Sequence, residues 1–120
     1  MCGVVRTLIE SYDFGRIVIG GIAYTEDVII IGDKVQSNWW RRDGHALHIS
    51  DLQEALSKLT PETVIVGTGY FGMMRVPRET REYFEAKGIQ FLAEATKKAC
   101  ELFNSLPKSK RALAGLHLTC

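Results

Sequence analysis

The residues best equipped for chemistry in this 120-residue chain fall into three groups. The first is Gly67-Thr68-Gly69-Tyr70-Phe71-Gly72, a G-x-G-x-x-G run directly after the apolar stretch Thr63-Val64-Ile65-Val66. Glu94 stands 22 residues beyond the last glycine, where a dinucleotide-binding fold keeps the acid that holds a ribose hydroxyl. Such a site needs its helix to open inside the motif, so that the helix N-terminus meets the pyrophosphate. Here Met73, Met74, Arg75 and Val76 intervene, and Pro77 marks a later helix start. The motif also lies past the midpoint of the chain, with room for only one complete βαβ unit after it. The glycines are therefore expected to serve a tight strand-to-loop turn that needs positive φ. The alternative that keeps a ligand is narrower: the amides of this loop, with Arg75 beside them, hold a small anion or a nucleotide.

The second group is Trp39-Trp40-Arg41-Arg42-Asp43-Gly44-His45. Aromatic rings beside guanidinium groups can stack bases and pair phosphates. A plainer arrangement has one tryptophan in the core, one at the rim, and the arginines bound to neighbouring carboxylates. The charge count favours the plainer one: 15 Lys+Arg against 14 Asp+Glu give a formal net of +1, without the basic excess of a chain built to coat nucleic acid. The third group is His45, His48, His117 and Cys120. Four such ligands can make a tetrahedral zinc site, but no paired C-x-x-C supports it and nothing in the spacing brings the two ends together. No metal and no cofactor are expected. Cys120 lies beside the α-carboxylate, which raises a thiol pKa and argues against an activated nucleophile. Cys100 borders an apolar helix face and is expected to be inert. No Ser-His-Asp order, P-loop or close carboxylate pair stands out. Asp43, Asp51, Glu54 and Glu62 are read as cap and surface charges.

The elements that position these groups follow from pattern. Residues 16–19 and 22–25 are β-branched or aromatic runs flanking Gly20-Gly21, a strong hairpin signal. Residues 28–31, then Gly32-Asp33, then 34–36 repeat it, so a meander of antiparallel strands is expected, joined by an earlier strand around residues 4–9. Ser50-Asp51-Leu52-Gln53 reads as a capping box for a helix with Leu52, Ala55, Leu56 and Leu59 on one face, ended by Pro61. A strand at 63–66 follows, then a helix opened by Pro77 and stopped at Gly88. A strand at 89–93, a helix capped by Thr96 and broken by Pro107, and a last strand at 111–118 complete the order. Strands alternating with helices argue for parallel neighbours joined by right-handed crossovers. The expectation is one α/β domain over residues 1–120, with a mixed sheet and an N-terminal antiparallel β-meander extension. At 46% hydrophobic residues the chain can bury a core without disulfides or a structural metal. Three cysteines, an odd and sparse set, suit reduced thiols in a cytosol. The first residues show no basic segment followed by an apolar one, and the longest apolar run, 28–31, is strand-sized. Neither a secretory signal nor a membrane span is expected, and the chain is read as cytoplasmic.

Taken in order, Phe14-Gly15-Arg16-Ile17-Val18-Ile19-Gly20, Trp40-Arg41-Arg42-Asp43-Gly44-His45, Val66-Gly67-Thr68-Gly69 with Val76-Pro77, and His117-Leu118-Thr119-Cys120 resemble the small Mth-domain family of uncharacterised proteins. The resemblance spans nearly the whole chain. It implies a three-layer α/β fold with a mixed sheet and a β-rich extension, and it carries over no catalytic residue and no cofactor. Some mitochondrial relatives act in assembling respiratory complex I and carry an N-terminal extension; that role is not transferred here. The expected function is a non-catalytic binding or assembly-type domain. Its surface would be built from the loops 40–45 and 67–75, with Trp40, Arg41, His45, Gly67, Thr68, Gly69, Arg75 and His117 as its residues. Its partner would be a protein, or in the alternative reading a small anion; nucleic acid ranks last.

Overall fold

The computed structural model describes residues 8–120. Two sheets carry the chain. A three-stranded antiparallel sheet is formed by β1 (Ile9–Asp13), β2 (Arg16–Ile19) and β3 (Ile22–Tyr24). Gly20 and Gly21, at φ 58° and 81°, make the two-residue turn between β2 and β3, where a side chain would be strained at both positions. The second sheet has five strands in the order β5-β4-β8-β6-β7. Its members are β4 (Val28–Ile31), β5 (Lys34–Ser37), β6 (Thr63–Thr68), β7 (Gln90–Glu94) and β8 (Ala112–His117). β6 runs parallel to β7 and β8, whereas β4 is antiparallel to β8 and β5, so the sheet is mixed.

The expected run of four meander strands is divided between these sheets. Chain direction changes at Thr25, Glu26 and Asp27, between β3 and β4. The reason lies in Asp27. Its carboxylate turns to the end of β8, accepting the Leu118 amide at 2.8 Å, and this sets β4 against β8 with Val28 opposite Leu116. An antiparallel pair with β3 is given up for a place in the main sheet. Of the strand expected at residues 4–9, all but the last two residues lie outside the described residues.

The main sheet is covered on both faces, and β6 is buried along its whole length. Strand alternation sends Val64 and Val66 to one face and Ile65 to the other. On the first face Ile29, Val64, Val66 and Leu113 meet Leu52, Phe84 and the loop residues Trp39 and Leu47. The helices there are α1 (Gln53–Lys58) and α2 (Arg78–Ala86). On the other face Val28, Ile30, Ile65 and Ala114 meet Phe103 and Ala99 of α3 (Thr96–Ser105) and Ile9, Ile17 and Ile19 of the small sheet. The Asn104 side chain fastens α3 to β1, accepting the Ile9 amide at 2.9 Å and donating to the Ile9 carbonyl at 2.7 Å. The result is three layers.

Two expected caps are corrected. The first helix enters through a 3-10 turn, Ile49–Leu52, not through a box at Ser50 and Gln53. The Asp51 carboxylate accepts the amides of His48 and Arg42, and this draws the helix start back by two residues. Thr96 is the first residue of α3 and does not cap it. Its hydroxyl instead accepts the Gly69 amide at 2.8 Å and donates to the His117 carbonyl at 2.6 Å, tying three elements together.

Candidate functional site

The carboxyl ends of β6 and β8 point to one end of the molecule, and the chemically distinctive residues gather there. Asp27, directly before β4, faces His117, the last residue of β8. Asp27 Oδ2 lies 2.7 Å from His117 Nδ1 and 2.8 Å from Arg41 Nη1. Arg41 Nη2 approaches the same ring nitrogen at 3.0 Å. A carboxylate can only accept, so His117 donates Nδ1–H to Asp27, and Arg41 Nη2 then packs against a nitrogen with no free lone pair. The Asp27 oxygens thus serve His117, Arg41 and the Leu118 amide together. Burial pushes the Asp27 carboxyl pKa up, but the bonds from His117, the Leu118 amide and Arg41 outweigh it and hold the group below the usual aspartate value.

Arg41 is almost fully buried, as charged side chains rarely are without a partner. The Trp39 ring covers its guanidinium at 4.9 Å, and Trp39 Nε1 donates to the Asp51 carbonyl. Gly115 of β8 makes this possible: a Cβ there would stand 2.6 Å from the Trp39 ring. Arg41 Nε is buried without a hydrogen-bond partner among the described residues. The tryptophan pair therefore divides as the plainer reading expected, with Trp39 inside and Trp40 77% exposed.

The two expected loops are joined to each other. The Arg75 amide donates to the His45 carbonyl at 2.8 Å, and the Leu47 amide to the Arg75 carbonyl at 2.9 Å, through a parallel bridge between Ala46 and Arg75. The side chains of His45 and Arg75 face solvent. His48 lies 4.0 Å from the Asp43 carboxylate, well apart in role from His117. Among the described residues no three His, Cys, Asp or Glu side chains converge as metal ligands.

The glycine motif packs against the chain terminus. Gly69 sits at φ 109°, and a Cβ on it would come within 2.6 Å of the carbonyls of Thr119 and Cys120. Gly67 lies against Thr96, where a Cβ would be 2.7 Å from its hydroxyl oxygen. Four amides of the segment have protein acceptors: Gly69 to Thr96 Oγ1, Tyr70 to Thr119 O, Gly72 to Gly69 O, and Met74 to Thr68 O. Thr68 pairs with His117 in the parallel register and is buried. The helix after the motif opens only at Arg78, with Pro77 at its N-cap. These glycines fit close packing and a turn, and the row of free amides that cradles a phosphate is not what they build.

What the segment presents outward is aromatic. Tyr70 and Phe71 meet edge to face at 5.1 Å, Phe14 of the β1–β2 turn meets Tyr70 at 5.7 Å and Phe71 at 6.2 Å, and Tyr12 reaches Tyr70 at 6.2 Å. Phe71 and Met73 are 66% and 64% exposed. Thr119 connects this cluster to Trp40, since its carbonyl accepts the Tyr70 amide and it lines a cleft of about 570 Å³ with Trp40, Arg41 and Asp27. Asp27 was not singled out in the sequence; Phe14 entered only within a family motif and Met73 only within the loop 67–75. For Asp27 a signal existed: an acid immediately before a four-residue apolar strand sits at the buried end of that strand. An imidazole oriented by a carboxylate can act as a general base. Among the described residues the contacts of the His117 ring nitrogen Nδ1 run to Asp27 and Arg41. Cys100 is buried in the α3 core, and that burial, with Glu101 nearby, pushes its thiol up to about 12.

Fold and site together define a small three-layer α/β domain with an Asp-Arg-His cluster, its arginine buried, beside exposed aromatic side chains. The chain belongs to the family described as protein of unknown function (DUF498/DUF598), which it matches over residues 9–117. It is similar to the conserved hypothetical protein PH1505 of Pyrococcus horikoshii, at 28% identity and TM-score 0.79, covering 93% of this chain and 98% of that one. It shares its fold with a Bordetella pertussis protein described as an Mth938-like domain, at 20% identity and TM-score 0.70, covering 93% of this chain and 85% of that one. A Bartonella henselae protein described as an outer membrane protein has the same fold at 22% identity and TM-score 0.78, covering 97% and 98% of the two chains. The Mth-domain resemblance and the fold class read from the sequence are thus shown. No helix among the described residues is long and apolar enough to cross a membrane.

Proposed function

We propose that this chain is a non-catalytic binding domain of assembly type, which engages a protein partner through the joined loops 40–45 and 67–75. One observation carries the reading: Phe14, Trp40, Tyr70, Phe71 and Met73 are exposed at one end of the sheet, on a base tied by the part-buried hydrogen bonds of Asp27. Exposed contiguous apolar surface is uncommon in proteins that act alone, and aromatic residues and methionine are the types enriched where proteins meet. A rigid base lowers the ordering cost of association. The Asp27–Arg41–His117 cluster, on this reading, is the base and not a reaction centre. The anion-binding alternative has weaker support, because the glycine-loop amides already have protein acceptors.

The test is recovery of partners from the native cell by the intact chain and by a Trp40→Ala, Phe71→Ala variant. Both side chains are exposed, so the variant is expected to melt with the parent. Proteins recovered by the parent are expected to be absent with the variant. Recovery of the same set by both, at equal yield, overturns the reading.

A further inference from the structure

The opposite end of the main sheet carries a different surface. Past the far ends of β4 and β8, a cleft of about 630 Å³ opens between Gly32, Leu59 and the segment 108–111. A second cleft of about 570 Å³ shares Gly32, Asp33 and Leu59 with it and continues along Lys34, Val35 and Gln36 of β5. Together they form one trough beside β5, which is an edge strand: among the described residues it pairs only with β4. Lys34, Lys58, Lys108, Lys110 and Arg111 line the trough, with Asp33 as its one carboxylate. That concentration of positive charge occurs in a chain whose formal net is only +1, so the rest of the surface is net acidic. Arg111 leans on Glu62 and on the Thr60 carbonyl, and Lys58 on Glu54. Lys34, Lys108 and Lys110 make no ion pair among the described residues.

We propose that this trough docks an extended acidic segment of a partner protein alongside β5. Three features select that occupant. The floor, from Leu59 and Val35, is apolar, and the cationic rim above it offers carboxylates several partners at once. The side of β5 away from β4, unpaired among the described residues, has backbone donors and acceptors that an extended segment can pair. No aromatic side chain lines either cleft, so nucleic-acid bases find nothing on which to stack. Lys34, the one lysine of β5, also discourages pairing with neutral or basic strands and favours an acidic one.

The experiment is fluorescence anisotropy with a labelled short peptide of alternating glutamate and valine. The intact chain is expected to bind it with an affinity that falls as salt rises. The Lys108→Glu, Lys110→Glu variant is expected to bind about tenfold more weakly, since two attractions become repulsions. Lys34→Glu, at the other end of the trough, provides an independent reading should the first variant fail to fold. Trp40→Ala is expected to bind as the parent does. Three results would each overturn the proposal: undiminished binding by the charge-reversed variants, equal binding of a lysine-for-glutamate peptide, or tighter binding of a single-stranded oligonucleotide of the same length. Displacement of the peptide by inorganic phosphate at equal concentration would likewise overturn it, in favour of a small-anion site.

Discussion

β4 and β8 each have one end in the aromatic surface and the other in the basic trough, and the two ends treat charge in opposite ways. At the first, Asp27 precedes β4 and His117 closes β8; the Asp27 carboxylate is half-buried, bonded to the buried Arg41 and to His117, and consumed within the fold. At the second, Gly32 follows β4 and Arg111 precedes β8; Lys34, Lys108 and Lys110 stand around an open cleft. The contrast separates charge that shapes a surface from charge that is the surface. Removing a charge at the first end should damage the fold, whereas removing one at the second should damage only recognition.

The largest expected effect follows from Asp27→Ala. Arg41 would remain buried with its guanidinium unpaired, and the Leu118 amide would lose its acceptor. Loss of one partner of a buried ion pair costs about 3–5 kcal/mol, because the other charge stays desolvated. Equilibrium urea denaturation of the two proteins measures it. A loss below about 1 kcal/mol would mean that the cluster is not a structural base, and would reopen His117 as a reacting group.

The next effect is in pH. The folded pKa of Asp27 is depressed, so its contribution is fully present above the unfolded aspartate value of about 3.9 and is lost as pH falls through the folded pKa. The unfolded chain binds the proton first on acidification, so stability declines. In Asp27→Asn that part of the decline is absent. The stability gap between parent and variant is therefore widest near neutral pH and narrows below about pH 4. Asp43 and Glu62, also depressed but exposed, are present in both proteins and leave the difference untouched. A gap constant from neutral pH to below about pH 3 would show that the Asp27 charge is not what holds this end together.

Which half of this contrast could be read from sequence follows from the range of each interaction. The hairpin at Gly20-Gly21, the late start of α2 at Pro77 and the split roles of Trp39 and Trp40 are local or compositional, and each was legible. Arg41 and His117 were legible as residues of interest because of their neighbours. Their meeting with Asp27 was not, since it spans 14 residues in one direction and 90 in the other and depends on β4 leaving the meander for β8. Thr96 misled for the same reason: a hydroxyl at a helix start suggests a cap, and only the packing of Gly69 and His117 against it shows the other use. The trough was invisible for a different cause. Lys34, Lys58 and the segment 108–111 lie on three separate elements, and in a chain of balanced charge no one of them stands out.

The smallest expected effect completes the comparison from the trough. Lys110 donates its amide to the Pro107 carbonyl, a bond that any residue except proline preserves, and its ammonium forms no ion pair among the described residues. Lys110→Ala therefore removes a solvated charge from a cluster mostly of like charge, in which Glu62 is the nearby opposite charge. Self-repulsion in the cluster falls slightly, while the stem gives up a little apolar cover. The two terms oppose each other, so the change in unfolding free energy is expected within about 0.5 kcal/mol of zero. Lys110 also helps to hold the Glu62 carboxyl below its usual value, behind the Arg111 amide and guanidinium, so its removal should change the acid limb of the stability curve only slightly. Measured by the same urea denaturation, a loss above about 1 kcal/mol would show that trough charges are bonded into the fold as Asp27 is. The two ends of β4 and β8 would then differ in exposure alone, and the trough would lose its claim to be a surface held open for an acidic partner.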